Sequence, residues 1–217
     1  MKIKTGNFCA TLLCVAVFIG TLSACAPIIF GGAAIGALVA TDRRTSGTQL
    51  EDEGIELRAA GRIREGLGDR GHVNVTSYNR QVLITGEAPT MQDKQLVEQI
   101  VSRVENVRLI VNELSVLGNT SLTQRSSDSL TTGKVKAAMV DAKDLYANAF
   151  KVVTERGTTY LMGRVTQREA ARATDIARST GGVQKVVRVF EIISEDELQR
   201  MLPQPAQPQG QPAPPKT

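Results

Sequence analysis

The chain has 217 residues, with 26 Lys and Arg against 22 Asp and Glu, a formal net charge of +4, one His, three Cys and no Trp. A charge this close to balance calls for no nucleic-acid partner. A single histidine leaves neither a His/Cys metal spacing nor a Cys/His nucleophilic pair in the sequence.

The N-terminus comes first. Lys2 and Lys4 precede the apolar run Phe8 to Leu22, which ends in Leu22-Ser23-Ala24-Cys25. A basic start, a short apolar stretch and small residues at the break make a secretory signal, and fifteen apolar residues are short for a spanning helix. Leu-Ser-Ala-Cys resembles the lipobox of bacterial lipoproteins. That resemblance implies cleavage after residue 24 and a lipid on Cys25, with Ala26 favouring the outer membrane. Cys9 and Cys14 would leave with residues 1–24, so the mature chain is expected to hold no free thiol and no disulfide.

Residues 25–50 read as a lipidated linker. Ala26 to Ala40 is small, apolar and glycine-rich, and Arg43-Arg44 reads as a solvated charge patch, with lipid phosphates as the alternative contact. A helix is expected near Asp52, with Glu51, Asp52 and Glu53 as its N-terminal charge. Two apolar stripes follow: Leu57, Ala60, Gly61 and Leu67, and Ile55, Ala59 and Ile63. A helix apolar on two sides is expected partly between two packed bodies.

His72 to Tyr78 alternates, and "QVLITGE" follows after Asn79-Arg80, so the pair reads as a hairpin ended by Gly86. Thr90 and Asp93 look like a capping box before a helix with Leu96, Val97, Ile100, Val101 and Val104 on one face. "VRLIVNELSV" reads as the third strand, and residues 118–127 as a linker.

The same unit then returns. Set Gly86 on Gly163, and Val75, Leu83 and Ile84 meet Val152, Tyr160 and Leu161; Thr90 and Asp93 meet Thr166 and Glu169; Val107, Val111 and Leu114 meet Val183, Val187 and Phe190. Its opening helix carries a core stripe of Val135, Ala138, Met139, Ala142, Leu145, Tyr146 and Ala149. Arg156-Gly157 makes the second hairpin, Gly181-Gly182 ends the second helix, and "VQKVVRVFEII" is the last strand. From residue 195 onward, a Pro/Gln-rich tail reads as disordered or extended. The fold class is α+β: two αββαβ domains, residues 51–117 and 128–194, packed against each other. Each is a three-stranded mixed sheet with two helices on one face. A unit of about 60 residues buries only roughly 60% of its surface, which favours that packing.

Two such units behind a lipobox resemble the BON domain family. The lead-in "TDRRTSGTQLEDE" and the stretch "TERGTTYLMGRVTQREA" are similar to the dual-BON outer-membrane lipoproteins. The resemblance implies a periplasm-facing lipoprotein, anchored in the outer membrane, that binds anionic phospholipid such as phosphatidylglycerol and supports envelope integrity and cell division. Envelope or division-site proteins are the further partners it implies.

Against the core stripe of the second repeat's first helix, Leu130, Lys134 and Ala137 fall on the opposite side, with Thr131 and Gly133 beside them. A Leu one turn from a Lys, both aimed at water, suits a lipid contact: the Leu enters the acyl boundary and the Lys meets a phosphate. The resemblance implies a bulky aromatic at this place, and the chain has Leu130 instead. These five are the expected phospholipid-binding residues. No catalytic residue, cofactor or metal is expected, His72 is expected at the surface, and the chain reads as a monomer and not an enzyme. A protein-interaction scaffold, using third-strand edges or the tail, is the competing reading, and a stress-buffering protein with no specific ligand is the third.

Overall fold

The computed structural model describes residues 42–201. Cys25, the signal segment, most of the lipidated linker and the tail beyond Met201 lie outside the described residues.

The first repeat runs α1 (Ser46–Leu67), a 3-10 turn (Gly68–Arg70), β1 (His72–Tyr78), β2 (Gln81–Ala88), α2 (Met91–Ser102), β3 (Leu109–Asn112) and β4 (Ser115–Val116). The second runs α3 (Leu122–Asp141), a 3-10 turn (Ala147–Ala149), β5 (Phe150–Glu155), β6 (Thr158–Val165), α4 (Gln167–Ser179), β7 (Lys185–Ile192) and a short α5 (Glu195–Met201). Three boundaries differ from expectation. Both opening helices start earlier, because Thr45 and Ser121 cap them through their hydroxyls, so residues placed in linkers are helical. The tail begins with α5, whose Leu198 is buried. The third strand of the first repeat is broken in two where Asn112 Oδ1 accepts the amide of Leu114 and that side chain turns into the core.

The turns follow from their residues. Asn79 and Arg80 both have positive φ (51° and 65°), as do Arg156 and Gly157 (51° and 73°), the pairing of a two-residue hairpin turn that matches strand twist. β1 and β2 pair antiparallel from His72↔Glu87 to Tyr78↔Gln81, and β5 and β6 from Phe150↔Gly163 to Glu155↔Thr158. β3 and β7 then join β2 and β6 in parallel after the helical crossover. Gly86 and Gly163 lie inside their strands instead of ending them. A Cβ at Gly86 would overlap the carbonyl of His72, and one at Gly163 would lie 2.5 Å from the carbonyl oxygen of Ala149. The repeat keeps glycine there because backbone at the start of the paired strand, His72 in β1 and Ala149 just before β5, takes the space.

In each repeat two helices cover one face of the sheet. Ile55, Ala59, Ile63 and Leu67 of α1 meet Val97 and Val101 of α2 over Val82 and Ile84. Val135 and Met139 of α3 meet Ala170, Ala173 and Ala177 of α4 over Leu161 and Val165. One expected stripe of α1 is thus core, while Leu57 is 75% exposed. The bodies do pack together, but not around α1. The opposite sheet faces meet: Tyr78 and Leu83 against Tyr160, Met162 and Val189. β2 is buried along its whole length because it is covered on both sides. α1 reaches the second repeat through Glu56, which accepts from Lys151 Nζ at 2.7 Å.

Candidate functional site

The outer face of α3 is built by what the inner face buries. Asp128, Thr131, Val135 and Met139 point inward. Asp128 is fixed from two sides: it accepts the amides of Arg156 and Gly157 at 2.8 and 2.9 Å, so the helix is tied to the β5–β6 turn. With that rotation set, Leu130 is 68% exposed, and Gly133, Lys134 and Ala137 are exposed around it. Ser126, Ser129, Leu130, Gly133, Lys134 and Ala137 line one shallow, mostly apolar depression.

The structure therefore brings four of the five expected lipid-binding residues together. Thr131 is the correction. It is buried, its hydroxyl donates to the Ser127 carbonyl at 3.0 Å, and it packs on Gly182, where a Cβ would lie 2.5 Å from that hydroxyl. One residue past Leu130 turns the side chain about 100°, from solvent to core. The helix is shorter than the periodicity suggests: α3 ends at Asp141, and of the expected core stripe Leu145 and Ala149 beyond it are still buried while Tyr146 is exposed.

Leu122, 78% exposed, and Val140, 69% exposed, belong to the same face but went unnoticed in the sequence. They sit eighteen residues, five turns, apart. Leu122 lies in the stretch expected as a linker; the signal that marks it as helical is Ser121, whose hydroxyl accepts the Gln124 amide.

The lead-in overturns a second expectation. Arg43 and Arg44 are not a solvated patch. Arg43 forms a bidentate pair with Glu169 (2.6 and 2.8 Å) and donates to the Arg164 carbonyl at 2.7 Å; both side chains are nearly sealed, at 4% and 1% exposure. Arg44 pairs with Asp42 and Asp52 and lies 4.4 Å over the Tyr78 ring. Adjacent arginines thus grip the second and the first repeat. Burial opposes the charge of Arg44 most strongly, yet its two carboxylate partners hold its pKa above the ordinary guanidinium value. Burial pushes the Tyr78 hydroxyl up to about 12. Glu169 also closes a full capping box with Thr166, whereas Asp93 accepts the Thr90 hydroxyl instead of the N-cap amide.

Asp52 is likewise no helix-end charge. It is fully buried and accepts from the Ser77 hydroxyl, the Asn79 and Arg80 amides and Arg44. His72, expected at the surface, has a side chain only 20% exposed, with Nδ1 3.3 Å from Glu87 Oε2. Glu155 of the second repeat completes a group whose ligand atoms all lie within 4.8 Å of one another. Burial, helped by Glu87 and Asp128, pushes the Glu155 carboxyl above its ordinary value against the pull of Asn74 and His72.

No helix among the described residues is long and apolar enough to cross a membrane. The BON domain family model matches residues 54–118 and 127–194, the two repeats. Outer membrane lipoprotein DolP of Haemophilus influenzae is 38% identical over 174 residues, 79% of this chain and 90% of that protein. The 21 kDa hemolysin of Actinobacillus pleuropneumoniae is 32% identical over 154 residues, 70% of this chain and 79% of that protein. Among solved structures, the C-terminal domain of CdsD, the structural protein of the type III secretion system of Chlamydia trachomatis, aligns with a TM-score of 0.28 and 10% identity, over 62% of this chain and 96% of that one.

Proposed function

The chain belongs to the BON domain family, and from that premise we propose that it is an outer-membrane lipoprotein, anchored by a lipid on Cys25, whose second repeat faces the periplasm and holds anionic phospholipid on the outer face of α3. The relative named outer membrane lipoprotein DolP supports the anchor and the membrane. The observation that carries the lipid reading is the exposed Leu130 beside Lys134, on a helix whose rotation is locked by Asp128.

The chemistry is interfacial. Leu122, Leu130 and Val140 lie along one side of α3, small residues between them let the helix axis approach a surface, and Lys134 meets a headgroup phosphate. One lysine at an anionic surface contributes about 1 kcal/mol, so the face is weak alone. The anchor raises its local concentration at the membrane, which makes weak recognition sufficient. The protein is a binding module that supports envelope integrity and cell division by residing at anionic patches.

Flotation of residues 41–203, free of the acyl anchor, tests this with phosphatidylglycerol and with neutral vesicles. Binding to the anionic vesicles alone, lost in the Leu130→Ser/Lys134→Glu double variant, is expected. Absence of binding to either sinks the lipid reading in favour of a protein scaffold using the exposed edges of β3 and β7.

A further inference from the structure

We propose that His72, Glu87 and Glu155 form a divalent transition-metal site of the zinc type that joins the two repeats. His72 opens β1, Glu87 lies near the end of β2, and Glu155 ends β5, so the site exists only when both repeats are docked.

Three observations converge. The first is the donor set: one imidazole and two carboxylates suit a borderline ion, where calcium and magnesium take oxygen alone. Two carboxylates also match the charge of a divalent cation. The second is spacing. A tetrahedral ion with ligands at roughly 2.0–2.2 Å sets neighbouring ligand atoms about 3.3–3.5 Å apart. His72 Nδ1 and Glu87 Oε2 are already 3.3 Å apart, and the carboxylate of half-buried Glu155 lies within 4.8 Å of both.

The third is an unmet demand. Among the described residues, fully buried Glu87 accepts no hydrogen bond at Oε1, which has only the Arg156 guanidinium 3.5 Å away, and His72 Nδ1, 3.3 Å from Glu87 Oε2, makes none. A buried carboxylate oxygen without a donor is costly, and a cation removes that cost. The surroundings also resemble an outer shell. The Thr120 amide and hydroxyl donate to Glu87 Oε2 at 3.3 and 3.2 Å, and Asn74 donates to Glu155. Arg156, with its guanidinium 3.5 Å from Glu87 Oε1, holds the place by charge alone. Its side chain is 41% exposed and is free to swing into water when an ion arrives.

Because the chain holds a single histidine, the imidazole proton resonances report on this site alone. The test is a titration of the untagged full chain in detergent micelles, cysteines alkylated, with zinc chloride. The His72 resonances are expected to shift saturably at one equivalent, with a rise in thermal midpoint. Glu155→Gln, an isosteric change at a half-buried position, is expected to weaken binding at least about tenfold and to abolish the rise. Arg156→Ala, which removes the competing charge, is expected to bind at least as tightly as wild type. Resonances unmoved by excess zinc overturn the proposal. So does an equal shift in Glu155→Gln, which would mean zinc on the imidazole alone, and so does weaker binding in Arg156→Ala.

Discussion

Asp52 and Asp128 hold equivalent places in the two repeats: each buried carboxylate, projecting from the opening helix, accepts both backbone amides of its own hairpin turn. Asp52 takes Asn79 and Arg80 at 2.8 Å each; Asp128 takes Arg156 and Gly157 at 2.8 and 2.9 Å. The turn amides face inward, where water cannot serve them, and an anion is the strongest acceptor.

Asp128→Ala leaves those amides unsatisfied, a cost of about 1–3 kcal/mol. For a chain of this size that lowers the thermal midpoint by roughly 2–4 °C per kcal/mol, measured by circular dichroism. Asp52→Ala should cost more, because it also strips a partner from Arg44, whose side chain is 10% exposed. Because Asp128 sets the rotation of α3, its variant should also weaken phosphatidylglycerol binding without touching Leu130 or Lys134.

The Arg43–Glu169 pair crosses 126 residues of chain and is almost wholly desolvated. Arg43→Ala leaves Glu169 charged and unpaired, and the expected loss is about 3–5 kcal/mol in urea unfolding. Arg43→Met combined with Glu169→Gln should recover most of it, since a buried pair is costly to break and cheap to replace. A double variant as unstable as the single would show that the stranded charge of Glu169 is not what destabilises Arg43→Ala.

Acid should weaken the fold through the same carboxylates. Burial is the largest influence on Asp52, Glu169 and Glu191 and raises each, but their donors and arginines prevail and hold all three below ordinary carboxylate values. A depressed folded pKa contributes stability that is complete above the unfolded value, about 4, and is lost as pH falls through the folded value. Stability to denaturant should therefore be flat near neutrality and fall steeply below about pH 4, with a shallower fall in Glu169→Gln.

Gly86 and Gly163 differ in a testable way. Both face a backbone carbonyl, of His72 in β1 and of Ala149 just before β5, but Gly86 also has φ +109° while Gly163 does not lie in the positive-φ region. Gly86→Ala should thus be the more damaging, by more than about 1 kcal/mol from backbone strain alone, seen as the difference between two denaturation midpoints.

The hairpins, the threonine N-caps of both crossover helices and the helix–strand order were legible because each is written within a few residues. Asn79-Arg80 and Arg156-Gly157 carry their turn geometry locally, and Thr166 with Glu169 closes its cap within four positions. The lipid face was legible in part. The spacing of Leu130, Lys134 and Ala137 is helical arithmetic, but Thr131 shares their neighbourhood in sequence and not in space.

By itself, then, the sequence determined a doubled αββαβ unit and the solvent side of α3, since repeat, periodicity and turn chemistry are short-range signals. Only the tertiary structure decided that the sheets meet back to back through Tyr78, Leu83, Tyr160 and Met162. It also decided that Arg43 and Arg44 are buried clamps, and that His72 and Glu87 meet Glu155. Those partners stand from eight to 126 residues apart. Their charges find each other only after both sheets have excluded water from the seam, and no local pattern encodes which buried group will face which.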